Sequence, residues 1–278
     1  MMQLFQEVSQ SCSKLTTERY STSFSSAIRL LHKDLRLPIY QIYGFVRFAD
    51  EIVDTFHEYD KEKLLAEFKQ ETYLAIERKI SMNPILHSFQ DVVNRCRIDH
   101  HLIEAFFNSM EADLVKQQYD ESGYQNYIYG SAEVVGLMCL CVFCNGDQDQ
   151  YSALKPFAQA LGAAFQKVNF MRDVKADSED LHRVYFPGVD FNRFTPESKK
   201  AIEADIAADF RKAYEGILKL PVKSRFGVYV AYKYYLSLFR KIQQAQPEVL
   251  LEDRIRIPNF SKAMIVLRAG LRNQLNLF

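Results

Sequence analysis

The stretch LGAAFQKVNFMRDVKAD (161–177) decides the fold. Gln166, Asn169, Asp173 and Asp177 stand at offsets 0, 3, 7 and 11, which is one face of an α-helix over three turns. Ala163, Ala164, Phe165, Val168, Phe170 and Met171 surround that face with apolar or small side chains. A polar stripe on an otherwise apolar helix does not belong in a dry core, because unpaired polar groups there lose hydration without return. It must line a wet or ligand-filled cavity.

A second stretch repeats the pattern. In IYGFVRFADEIVD (42–54), Tyr43, Arg47, Asp50 and Asp54 fall at offsets 0, 4, 7 and 11. Each stripe ends in an Asp-x-x-x-Asp pair whose carboxylates share a helix face and repel each other. Divalent cations would relieve that repulsion. A solvated face is the plain alternative for one such pair and fits two matched stripes poorly. An EF-hand would need a loop with a glycine turn, and a di-iron bundle would need Glu-x-x-His pairs, of which there are none. Mg²⁺, or Mn²⁺ in its place, takes oxygen ligands and is commonly shared between carboxylates and substrate phosphates.

The rest of the chain reads as helix after helix. Its 278 residues include only 10 Gly and 8 Pro, and no alternation of strand type persists. Helices are expected near 21–33, 38–57, 61–80, 84–97, 100–119, 122–145, 150–177, 196–219, 222–246 and 259–276. Pro38, Pro84 and Pro221 suit first turns, Asp99 and Asn259 suit N-caps, and Pro156 falls inside its helix or at its start. The longest irregular stretch is 178–195. The expectation is an all-α fold with one domain over residues 1–278.

Lys plus Arg and Asp plus Glu both number 35, so the formal net charge is zero and no nucleic-acid partner is expected. The start lacks the pattern of a secretory signal. With five cysteines and no obvious framework, a cytoplasmic location is expected. The longest apolar run, VVGLMCLCVFC (134–144), falls short of the roughly 20 residues of a membrane span. Its Cys139, Cys141 and Cys144 read as core residues rather than metal ligands. The C-terminal helix carries Met264, Ile265, Leu267, Leu271, Leu275 and Phe278 with scattered Arg, which leaves peripheral contact at the inner membrane face open. A monomer or weak homodimer is expected.

At these residues the chain resembles the squalene/phytoene synthase family of head-to-head prenyl synthases. The resemblance runs through YSTSFSSAIRLL (20–31), IYGFVRFADEIVD (42–54), YIYGSAEVVG (127–136), LGAAFQKVNFMRDVKAD (161–177) and RVYFP (183–187). It implies an isoprenoid-synthase helical bundle around a central cavity, with prenyl diphosphate substrates. Carried over position by position, Asp50, Asp54, Asn169, Asp173 and Asp177 resemble the Mg²⁺-diphosphate residues. Ser21, Ser23, Arg47 and Arg172 resemble diphosphate contacts. Tyr43, Tyr129 and Gln166 resemble residues near the reacting carbons, and Tyr129 joins the four aspartates as a catalytic candidate. The implied reaction joins two geranylgeranyl diphosphates through a cyclopropylcarbinyl diphosphate. The alternatives are a thirty-carbon enzyme using farnesyl diphosphate, which makes squalene or dehydrosqualene, and a non-catalytic binding protein of the same fold. No strand precedes a G-x-G-x-x-G, so no separate nicotinamide domain is expected.

The chain departs from the family pattern at Glu51, where many relatives have Asp, and at Glu133, where a small residue is common. Its RIRIPNFSK (254–262) resembles the basic segment of relatives only loosely, with Arg256 and Lys262 as candidates.

Overall fold

The computed structural model describes residues 1–115, 119–179, 185–189, 194–252 and 254–274; the side chains of 176–179, 252, 273 and 274 lie outside that description. In chain order the helices are α1 (Met2–Tyr20), α2 (Thr22–Ile28), α3 (Lys33–Asp54), α4 (Lys61–Arg78), α5 (Pro84–Cys96), α6 (His100–Val115), α7 (Glu121–Ile128), α8 (Val134–Cys144), α9 (Gln148–Glu179), α10 (Pro196–Lys219), α11 (Val222–Gln244), α12 (Pro247–Glu252) and α13 (Asn259–Gln274). A π-helical turn, Tyr129–Glu133, joins α7 to α8 without a break. Among the described residues there is no strand.

Several boundaries follow from local chemistry. Asn83 accepts from the backbone N–H groups of Ile85 and Leu86, with Pro84 at the first helical position of α5. Asp99 Oδ1 accepts from His101 N (2.9 Å) at the start of α6. Pro38 was expected in a first turn, yet α3 begins five residues earlier, so this proline lies inside the helix. His32 caps that earlier start. Pro156 also lies within α9.

The helix α1 was not expected. Its buried face carries Ser9, Ser13 and Thr17, all fully buried, while Leu4, Val8 and Leu15 face outward. Hydrophobic periodicity therefore points the wrong way. Ser9 and Thr17 donate to carbonyls one turn back, at 2.9 Å in each case, which satisfies them without outside partners. The small side chains let α1 approach α3 closely: a Cβ on Gly44 would lie 3.0 Å from Ser13 Oγ.

The core is aromatic. Phe45 of α3 stacks on Phe89 of α5 with centroids 3.8 Å apart, and Phe106 and Phe107 of α6 close around it. The helical stretch Glu121–Cys144 would be long and apolar enough to cross a membrane, which the run 134–144 alone would not. Half of its apolar window is buried, and its α8 part packs against α3, α6 and α9 as a core helix. Burial pushes the thiol of Cys139 up to about 12 and those of Cys141 and Cys144 up to about 11, as suits protonated core residues. On its other side α9 is tied to α10 by Lys167, whose buried ammonium donates to Asp205 (2.5 Å) and Asp209 (2.8 Å). Glu133 also lies outside the cavity lining and accepts from Gln159 Nε2 (2.7 Å). These polar contacts fix the roll of α9 and leave its Gln166–Asp173 face turned inward.

Candidate active site

A cavity of about 700 Å³ lies between α2, α3, α8, α9, α10 and α11. Both stripe helices run along it in the same sense. On α3 the lining passes from Ile39 and Ile42 through Tyr43 and Arg47 to Asp50 and Asp54; on α9 it passes from Leu154 and Leu161 through Gln166 and Asn169 to Asp173. One end of the cavity is therefore apolar and the other acidic. The acidic end coincides with the C-terminal half of each helix. Neither helix has a basic residue in its last turn, so the helix dipoles add partial negative charge there.

Asp50 shows the consequence. Burial, followed by the nearby charges of Asp54 and Asp113, pushes its carboxyl from the ordinary 3.8 up to about 7, against the opposing pull of Arg47. Arg47 pairs with Glu51 and stands 3.9 Å from Asp50 Oδ2, with its guanidinium 4.5 Å from the centroid of the Tyr20 ring. Glu51 thus turns toward the arginine. Asp173 is held from two sides. Arg172 Nε donates to its Oδ1 at 2.9 Å, and Arg254 approaches the same oxygen at 2.7 Å from the connection between α12 and α13.

The residues fit a divalent cation in donor type. They offer carboxylate and amide oxygens, and Asn169 Oδ1 is buried with no hydrogen-bond partner. Among the described residues no three His, Cys, Asp or Glu converge on one point. Mg²⁺ keeps several waters and takes part of its shell from phosphate oxygens, so it does not require a complete set of protein ligands.

Ser21 lines the mouth and caps α2 by accepting from Phe24 N at 3.1 Å. It is also hydrogen-bonded to Tyr43, whose hydroxyl is pushed up to about 12, chiefly by burial. Two aromatic groups face the interior. Phe165 stacks on Tyr235 with centroids 3.9 Å apart, beside Phe24 and Tyr43. Phe170 stacks on Tyr185 at 4.0 Å, beside Tyr127.

Two expected residues are not where the sequence placed them. Tyr129 does not line the cavity; Tyr127 does. Two positions on a helix are about 200° apart, so only one of this pair can face inward. Tyr129 sits half-exposed on the other side, near Asp99 and Glu133. Ser23 is likewise absent from the lining, where Ser21, Phe24, Ala27 and Ile28 form the inward face of α2. The Asp177 side chain lies outside the described residues, as do Arg183 and Val184 of the RVYFP stretch.

Two further residues at the site lie outside the expected set of site residues. Arg254 is one. The other is Asp113 of α6, which is buried and lines the cavity. It accepts from the hydroxyls of Tyr127 (2.5 Å) and Tyr119 (3.1 Å), with the Tyr185 hydroxyl at 3.5 Å. An acid at the inner spacing of Phe106, Met110 and Asp113 was the available signal.

Comparison with known proteins agrees with this geometry. The Squalene/phytoene synthase family model matches residues 17–261. A 4,4'-diapophytoene synthase of Staphylococcus haemolyticus is 23% identical over 95% of this chain and 96% of its own. A 15-cis-phytoene synthase of Enterobacter agglomerans is 27% identical over 90% of this chain and 91% of its own. The crystal structure of a dehydrosqualene synthase in complex with ligand superposes with a TM-score of 0.83, covering 99% of both chains at 19% identity. The chain belongs to the squalene/phytoene synthase family.

Proposed function

We propose that this chain joins two molecules of geranylgeranyl diphosphate head to head, as a phytoene-synthase-type prenyltransferase. The observation that carries the reading is the polarity of the cavity: two acidic stripes at one end and an apolar channel behind them. A prenyl diphosphate has the same polarity. Bound at Asp50, Asp54, Asn169, Asp173 and Asp177, Mg²⁺ would neutralise the diphosphate and the charge it gains on leaving. Arg47, Arg172 and Arg254 donate hydrogen bonds to phosphate oxygens.

The C–O bond of one substrate breaks and the diphosphate departs with the electron pair. The double bond of the second substrate attacks the allylic cation, and loss of a proton closes the cyclopropane. Ionisation of that intermediate, rearrangement and a second proton loss complete the reaction. The ring faces of Phe165, Tyr235, Phe170 and Tyr185 stabilise cations along this course. The apolar wall from Leu154 to Leu161 excludes water that would otherwise capture them. Tyr127, whose hydroxyl donates to Asp113 (2.5 Å), is part of the same wall.

A thirty-carbon reaction on farnesyl diphosphate is the second reading. It is favoured by the superposition on a dehydrosqualene synthase and by the end-to-end match to a diapophytoene synthase. Incubation with each labelled diphosphate and Mg²⁺, followed by chromatography of the products, tests the choice. Turnover of farnesyl but not geranylgeranyl diphosphate would overturn the forty-carbon reading.

A further inference from the structure

The helix α1 is polar on its buried side and apolar on its outer side. Ser9, Ser13 and Thr17 face the bundle, while Leu4 (65% exposed), Val8 (51%) and Leu15 (54%) face outward. Offsets of 0, 4, 7 and 11 put Leu4, Val8, Ser11 and Leu15 on one stripe over three turns. A rotation of α1 cannot bury that stripe. A Cβ on Gly44 of α3 would already lie 3.1 Å from Cα of Ser13, so no leucine or valine fits where Ser13 sits. A second contact holds the same roll. His87 of α5 accepts from Ser81 N (3.4 Å) through Nδ1, which leaves its Nε2–H to donate to Gln6 Oε1 (2.8 Å). Phe5 lies against the His87 ring with centroids 4.6 Å apart. The exposed Ile80 and Met82 flank Ser81 and add apolar surface next to this contact.

The charges around the stripe complement themselves. The helix carries two acids, Glu7 and Glu18, and two bases, Lys14 and Arg19. Glu7 and Lys14 border the stripe toward opposite ends, and both are exposed. Such a balance lacks the excess of positive charge that marks a helix lying on anionic lipid. A second copy laid antiparallel about a two-fold axis meets it better. Leu4 then stands against the partner's Leu15, and Val8 against the partner's Ser11, whose small side chain admits it. Glu7 lies two residues, about 3 Å along the axis, from the level of the partner's Lys14. The symmetry repeats that ion pair on the other side of the axis.

We propose that α1 is a self-association surface, through which two copies of this chain join as a two-fold symmetric, antiparallel helix pair. The stripe supplies the apolar contact, and the reciprocal pairs of Glu7 with the partner's Lys14 set the direction. An interface built on one helix falls at the small end of the range for protein pairs, so the dimer is weak and forms only as concentration rises. The surface is independent of the reaction proposed above and holds for either prenyl length.

Analytical ultracentrifugation of the full chain tests it. The average mass is expected to rise about twofold between dilute and concentrated protein. The double variant Leu4→Glu/Leu15→Glu should stay monomeric over the same range, with an unchanged melting temperature in dilute solution, since both residues face outward. Lys14→Glu sets like charges against each other and should weaken association about tenfold. Adding Glu7→Lys to that variant exchanges the two charges and should restore the association. Three results would each overturn the proposal. One is a wild-type monomer at every concentration, whether or not it pellets with lipid vesicles. Another is a folded Leu4→Glu/Leu15→Glu variant that dimerises as the wild type does. The third is a charge-exchanged variant that associates no better than Lys14→Glu alone.

Discussion

Arg254 Nε stands 2.7 Å from Asp173 Oδ1, although 81 residues separate the two and Arg254 belongs to no helix. The guanidinium occupies the carboxylate that a metal ion would need. Arg254 and Mg²⁺ therefore compete for Asp173 when no diphosphate is present, and cooperate once phosphate oxygens can receive the arginine. Arg254→Ala should bind Mg²⁺ alone more tightly, by about three- to tenfold for a half-exposed pair, and bind inorganic pyrophosphate in the presence of Mg²⁺ more weakly. Titration calorimetry measures both. Unchanged or weaker Mg²⁺ binding would show that the contact does not guard the site.

The raised pKa of Asp50 makes the stability of the metal-free protein depend on pH, with a definite sign. In the unfolded chain this carboxyl titrates near its ordinary 3.8, and in the fold near 7. Between those values the folded state binds the extra proton, so stability falls as pH rises from about 4 to about 7 and then levels. The full shift would correspond to about 4 kcal/mol. The side chain is 31% exposed to the cavity and screened by its water, so about 1–2 kcal/mol is the better expectation. Asp50→Asn should be more stable than wild type by that amount at pH 8 and equal to it at pH 4, as read from urea melts. The same variant should lose about 10²- to 10³-fold in turnover. A variant less stable than wild type at pH 8 would contradict the repulsion.

Tyr127 and Tyr129 offer a direct test of which phenol serves the cavity. Tyr127→Phe removes the hydroxyl that donates to Asp113 and leaves that buried acid with fewer partners. It should lower turnover about tenfold or more and cost about 1–3 kcal/mol in stability. Tyr129→Phe, on the half-exposed side, should change both by little. The opposite ranking in steady-state assays would return the role to Tyr129.

What the sequence shows and hides has a physical pattern here. The two stripes are legible because helical spacing alone puts polar residues on a face whose neighbours are apolar. Arg254 is not legible from spacing, and spacing puts Asp113 on an inner face without showing its partners. The partner of Arg254 is brought to it by tertiary packing. Asp113 looks like one acid on an amphipathic helix until Tyr119, Tyr127 and Tyr185 arrive from other segments. The helix α1 hides for the opposite reason, because its inner face is Ser and Thr and its outer face is apolar. Tyr127 and Tyr129 both occur in YIYGSAEVVG, and only the roll of the helix decides which of them lines the cavity.

The close contact between α9 and the π-helical turn sets that roll, and it can be perturbed at one atom. A Cβ on Gly162 would lie 2.7 Å from the carbonyl oxygen of Ala132 and 2.9 Å from Cα of Glu133, both backbone atoms that cannot swing aside. Gly162→Ala must push α9 away from the turn or strain it, at a cost of about 1–3 kcal/mol. The same α9 face carries Gln166 and Asn169, one and two turns on, so displacement there should also reach the site. Urea melts should show the loss of stability. Turnover should fall further than the unfolded fraction explains, with Mg²⁺ affinity weakened alongside it. If stability drops while the remaining folded enzyme binds Mg²⁺ and turns over normally, the contact supports the bundle but does not align the second stripe.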